Sequence, residues 1–161
     1  MSRKFWMQFG LAFGLLFFAS VAQAETKPTY IDTFTDGSNK FYVMTYFDPT
    51  KVPKKIALLG IQNGTRRNSI TLFPDDWSTL FTLWTKAEAA QSNSWQDVGE
   101  INEKGDSADV TLKIRAGRGM TFLVSEPSAG ILTFLLSTAN IARFDAAVRR
   151  VKDSLADQTS E

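Results

Sequence analysis

The chain has 161 residues, 43% of them hydrophobic, with 18 basic residues against 17 acidic ones and neither cysteine nor histidine. That length makes one ordinary domain with enough apolar residues to build its own core, and the near-neutral charge gives no global attraction to nucleic acid or anionic lipid. The two missing residue types exclude disulfides, cysteine nucleophiles, Ser-His-Asp triads and imidazole metal sites, whereas a Ser-Lys pair, a carboxylate pair or an all-oxygen calcium site stays open.

Arg3 and Lys4 precede an apolar run from about Phe9 to Phe18, and Ala22-Gln23-Ala24 supplies the small residues of a cleavage site. This is the pattern of a secretory signal peptide over residues 1–24. The run is short for the roughly 20 apolar residues that span a bilayer. Cleavage after Ala24 leaves 16 basic residues against 17 acidic ones and a periplasmic or secreted chain starting at Glu25.

"YIDTF" (Tyr30 to Phe34) reads as a short strand, and "DGSN" as a turn with Gly37 free to take a positive φ. "KFYVMTYF" (Lys40 to Phe47) is rich in aromatic and β-branched residues and reads as a strand. "DPTKVPK" is a loop. "KIALLGIQ" and "RRNSITLF" then form a hairpin about Asn63-Gly64. Pro74 suits the first turn of a helix, and Asp75 and Asp76 suit the positive end of its dipole. Trp77, Leu80, Phe81 and Trp84 mark one apolar face of that helix.

The second half runs similarly. "WQDVGEI", "ADVTLKIR", "MTFLVS" and "ILTFLL" read as strands, separated by the turns "NEKGDS", "AGRG" and "EPSAG". Ser137 reads as the N-cap of a helix striped by Ile141, Phe144, Val148, Val151 and Leu155. The expected fold is therefore α+β: two β-β-β-β-α units, about 30–91 and 95–156, within one domain spanning 25–156, followed by a flexible tail at 157–161. Sliding Lys54–Ala87 onto Arg118–Val151 without a gap sets Leu58 on Phe122, Ile70 on Phe134 and Leu72 on Leu136. It also sets Trp77 on Ile141, Leu80 on Phe144 and Trp84 on Val148.

In its order of elements this tandem resembles the single-stranded nucleic acid binders of the Pur-repeat and Whirly kind. That resemblance implies curved four-stranded sheets packed together and locked by helices. The lysine-rich Whirly motif is absent.

Two surfaces are candidate binding sites. Phe81 and Leu83 flank the tryptophan stripe of the first helix, giving an apolar arc broader than one sheet covers, which points to a protein partner or a homodimer. The alternative is a polyanion such as single-stranded nucleic acid. It would be held by Lys54, Lys55, Arg66, Arg67, Lys113, Arg115 and Arg118 around the hairpin loops, with Tyr42 and Tyr46 as stacking platforms. Asp75 with Asp76, and Glu100 with Glu103, are the candidate carboxylate pairs. Neither is placed as a catalytic dyad, "DGSNK" lacks the oxygens of a calcium loop, and Asn63-Gly64-Thr65 is a glycosylation sequon whose turn role suffices. No catalytic residue, metal or cofactor is expected. The function expected is that of an exported, non-enzymatic binding or adaptor protein acting through the first helix, with polyanion binding second and an inhibitor or chaperone of a secreted partner third.

Overall fold

The computed structural model describes residues 28–50, 52–103 and 109–156. The signal-peptide pattern, Lys51, most of "NEKGDS" and the C-terminal tail lie outside them. The first unit is β1 (Pro28–Asp36), β2 (Asn39–Phe47), β3 (Lys55–Asn63), β4 (Arg66–Leu72) and α1 (Pro74–Ala89). The second is β5 (Gln96–Asn102), β6 (Thr111–Ala116), β7 (Met120–Glu126), β8 (Gly130–Leu136) and α2 (Ile141–Ala156). Each unit is an antiparallel four-stranded sheet in sequence order, followed by its helix. The fold is thus the expected pair of β-β-β-β-α units.

Alternation along each strand decides which face is buried. In β2, Phe41, Val43 and Thr45 point inward while Tyr42, Met44 and Tyr46 point outward. In β7, Met120, Phe122 and Val124 point inward. The inner faces meet in one apolar core. Phe41 stacks on Phe122 at 4.7 Å, on Phe134 at 5.4 Å and on Phe144 at 5.7 Å, so one ring of the first sheet touches two strands and the helix of the second unit. Each such buried side chain contributes about 1.5–3 kcal/mol. The helices cross over: α1 lies on β5 and β6, and α2 on β1 and β2. Trp77 Nε1 donates to the Val148 carbonyl at 3.3 Å and joins them. At the edge of β1, Asp32 accepts from Arg143 and Arg150 of α2.

Three details differ from the expectations. Strand β1 begins two positions before Tyr30, although the turn between Asp36 and Asn39 has the expected positive φ at Gly37, 59°. Ser137 caps no α-helix: it precedes a single 3-10 turn, Thr138–Asn140, makes no side-chain cap bond, and α2 starts at Ile141. The gap-free superposition of the units fails by one residue in β3. Leu59, not Leu58, pairs with Ile70 as Phe122 pairs with Phe134. Two residues, Gly64 and Thr65, connect β3 to β4, whereas three connect β7 to β8, and that extra residue shifts the register. A one-residue slip exchanges the two faces of a strand, which is why Leu58 points outward and Phe122 inward.

Both first strands carry a bulge at the same pairing position, between Tyr30 and Asp32 opposite Met44 and Val43, and between Asp97 and Gly99 opposite Arg115 and Ile114. The hairpins that follow differ. Eleven residues separate the paired Thr45 and Ala57, whereas three separate the corresponding Ala116 and Met120. The first unit therefore carries a long hairpin arm that the second lacks.

Candidate binding surface

The structure places Leu83 inside the fold. It is 8% exposed, and its Cδ2 would lie 2.5 Å from a Cβ built on Gly99 of β5. The apolar excess of α1 is thus covered by the second unit of the same chain, and Leu83 supplies no partner surface. Phe81 is half-buried, with the guanidinium of Arg149 at 5.4 Å and the ammonium of Lys152 at 5.1 Å from its ring centre. Cations from α2 shield that face. A shallow hollow beside it is lined by Phe81, Thr82, Thr85, Lys86 and Ala89.

The basic set disperses. Lys113 (3.3 Å) and Arg115 (2.8 Å) both pair with Asp97, whose carboxyl is held below the usual aspartate range, chiefly by the hydrogen bond from Lys113. Lys55 donates to the Ser154 carbonyl at 3.0 Å, and Arg66 to the Ala129 carbonyl at 2.6 Å. Arg67 donates to Gln62 Oε1 at 3.1 Å and covers the Tyr42 ring at 5.8 Å. Lys54 and Arg118 are exposed. Lys54 sits at the Phe47–Lys55 end of the first sheet, Arg67 at the Asn63–Arg66 end, and Arg118 on the second sheet's short turn. Among the described residues no continuous cationic track joins them.

Among the described residues, no helix covers Tyr42 and Tyr46. α1, α2 and the second sheet pack on the inner face, and on the outer face of the first sheet Tyr30 is exposed while Tyr42, Met44, Tyr46 and Leu58 are half-buried. Cross-strand pairing builds it in rows: Tyr30, Met44, Leu58 and Thr71 in one, Pro28, Tyr46 and Ile56 in the next. Tyr30 is 57% exposed and meets Tyr42 edge-on at 5.8 Å. Tyr42 Oη donates to Gln62 Oε1 at 2.6 Å, which fixes its ring. The charged strand positions on this face are Lys40 and Arg67, and none is acidic. The sequence reading found Tyr42 and Tyr46, with Met44 between them on the same strand face, but missed Tyr30 and Leu58. Alternation with Phe41, Val43 and Leu59 carried that signal, because two apolar faces on one strand demand two covers.

The carboxylates do local work. Asp76, buried at the third position of α1, accepts the Phe73 N–H at 3.2 Å and so closes the helix start. Asp75 is exposed, and Glu100 stands opposite Lys113 in the β5–β6 register while the Lys113 ammonium pairs with Asp97. Among the described residues no three aspartates or glutamates gather as a metal site. Nor, among the described residues, is any helix long and apolar enough to cross a membrane. No protein-family model matches the chain. No curated protein is detectably similar to it in sequence.

Proposed function

We propose that the protein is an exported, non-enzymatic binding or adaptor protein that receives an apolar, acid-flanked segment of another protein on the outer face of its first sheet. The observation that carries the reading is the open row of Tyr30, Met44 and Leu58, flanked by Tyr42 and Tyr46. Tyrosine, methionine and arginine are the residue types enriched at the buried centre of protein interfaces, and Arg67 stacked on Tyr42 completes that composition. A face whose strand positions carry Lys40 and Arg67 and no acidic residue favours an acidic flank on the partner over a second copy of itself. Dispersal of the basic residues, and their use in internal pairs, supports a protein partner over a polyanion. The chain's lack of histidine and cysteine supports binding rather than catalysis. Export is supported by the charged start, the apolar run and the Ala22-Gln23-Ala24 ending, and is tested by the intact mass of the secreted form.

The surface is tested by placing a photo-cross-linker at Met44 in the exporting cell. A discrete heterologous product that disappears with Leu58→Glu supports the reading. A product consisting of the protein linked to itself replaces the partner with a homodimer. Unchanged cross-linking with Leu58→Glu removes this face from consideration. Oligonucleotide binding abolished by Lys54→Glu and Arg67→Glu, with no cross-link, moves the assignment to the polyanion alternative.

A further inference from the structure

We infer that the long β2–β3 hairpin arm holds a binding site for a small amphiphilic anion, a medium-length acyl chain ending in a carboxylate. The arm borders a half-open hollow of about 360 Å³ lined by Tyr46, Val52, Pro53, Ile56 and Phe73, with Lys54 and Asp48 completing it. That volume falls within the range of about 300–1,000 Å³ usual for small-molecule sites.

The comparison of the two units isolates what the arm is for. The common fold needs only the three residues between Ala116 and Met120, and the first unit spends eleven at that point. All the lining residues except Phe73 lie within that arm. Phe73 itself follows β4 directly, where the second unit has the exposed Ser137 after β8. In the second unit the corresponding end of the sheet is closed instead. The Trp95 indole lies so near Gly117 that a Cβ there would meet it at 2.6 Å. One unit therefore shuts this end with an indole, and the other opens it over an apolar hollow.

The chemistry of the rim selects the head group. Asp48 is engaged within the loop, where its Oδ1 accepts from Thr50 N at 2.9 Å and from Thr50 Oγ1 at 2.6 Å. Lys54 is exposed and pairs with no carboxylate among the described residues. Its neighbour Lys55 is turned instead to the Ser154 carbonyl. A ligand whose apolar body fills the hollow would thus find, among the described residues, the uncommitted Lys54 ammonium at the mouth, a match for a negative charge. Val52, 98% exposed at the rim, is an apolar side chain that the protein's own packing leaves in water and that an acyl chain would cover.

This inference goes beyond the partner reading and is tested without the partner. The purified protein is titrated with decanoate and with decanol, following the methyl resonances of Val52 and Ile56, with those of Ile131 as a remote control. Saturable binding of decanoate is expected at Val52 and Ile56 and not at Ile131. Decanol and the Lys54→Glu variant should each bind about tenfold more weakly, the worth of one charge-assisted hydrogen bond. Ile56→Trp, which fills the hollow, should abolish binding. Val52→Glu, on a side chain 98% exposed, should weaken it without unfolding the protein. Equal affinity for decanol, unchanged affinity in Lys54→Glu, or shifts that do not saturate or that extend equally to Ile131 would overturn the assignment. Binding only to phosphatidylglycerol vesicles, with none to decanoate, would overturn it in favour of a membrane surface.

Discussion

Asn68 of β4 donates its side-chain amide to the Val124 carbonyl of β7 at 3.0 Å, joining the two sheets through the core. The same amide reaches the Gly130 carbonyl at 2.7 Å. Neighbouring contacts reinforce the seam: Ser69 N–H donates to Glu126 Oε1 at 2.9 Å. By the β4-to-β8 correspondence the second unit has Leu132 where the first has Asn68, so the tie has no twin. Asn68→Ala should cost about 2–3 kcal/mol, two hydrogen bonds at about 1 kcal/mol each plus the desolvated carbonyl left behind. Asn68→Asp should cost more, because a carboxylate would face two carbonyl oxygens in a dry site. Urea unfolding of the two variants checks both the size and the order.

Trp84 is fully buried, with its ring 4.6 Å from that of Phe144 and its Nε1 donating to Asp145 Oδ1 at 3.3 Å. Trp84→Ala should destabilise by about 3–5 kcal/mol, the range for a large aromatic cut from a core. Trp84→Phe keeps the ring contact and loses the hydrogen bond and some volume, and should cost about 1–2 kcal/mol. A loss below about 1 kcal/mol for the alanine variant, read from the chemical denaturation midpoint, would contradict the crossed-helix core.

The element order was legible because strand alternation and helical stripes are local signals: Tyr42 against Val43, or Trp77 with Leu80 and Trp84, announce their faces within a few residues. The destination of those faces was not. Leu83 looked like surplus on α1, since what covers it is Gly99, sixteen residues on and in another sheet. By the same correspondence the equivalent positions are Ala147 on α2 and Asp32 on β1, small on the helix where the strand residue is large. Size complementarity of that kind becomes visible only once the helices are known to cross over. The register error at Leu58 has a similar origin. A single added residue in the β7–β8 turn leaves hydrophobicity almost unchanged, yet it moves every side chain of a strand to the opposite face. Of the candidate sites, Tyr42 and Tyr46 were legible as a pair on one strand, but the row that joins them to Tyr30 and Leu58 depends on cross-strand pairing.

Glu88 on α1 titrates above the usual glutamate range, first because of burial and then because of the Asp145 carboxylate, with Arg149 opposing. Its folded pKa thus exceeds its unfolded one. Below both values each state holds the proton and nothing is lost. As pH rises through the window between them the unfolded chain releases its proton first, so stability falls and stays lower above it. Glu88→Gln should match the wild type at about pH 3 and be the more stable of the two at about pH 7. Unfolding midpoints across that range test the sign. A Gln variant less stable at neutral pH would make Arg149 the dominant neighbour.

The seat of α1 on the second sheet is tested at Gly99. A methyl group there would stand 2.5 Å from Leu83 Cδ2, a separation that non-bonded carbons do not adopt, so the helix or the strand has to move. Gly99→Ala should therefore cost about 1–3 kcal/mol as overpacking. Leu83→Ala, which empties the space, should cost about 2–3 kcal/mol on its own, at the low end for a buried leucine because the side chain lies near the rim of the core. In the double variant the new methyl occupies part of the vacated volume. The two losses should then fall short of additivity by about 1–2 kcal/mol, the range for residues in direct contact. Leu83→Asp sets a carboxylate against the same backbone and should unfold the protein. Additive losses in the double variant, or a folded Leu83→Asp that loses only a bound partner, would return Leu83 to the surface and release α1 from β5.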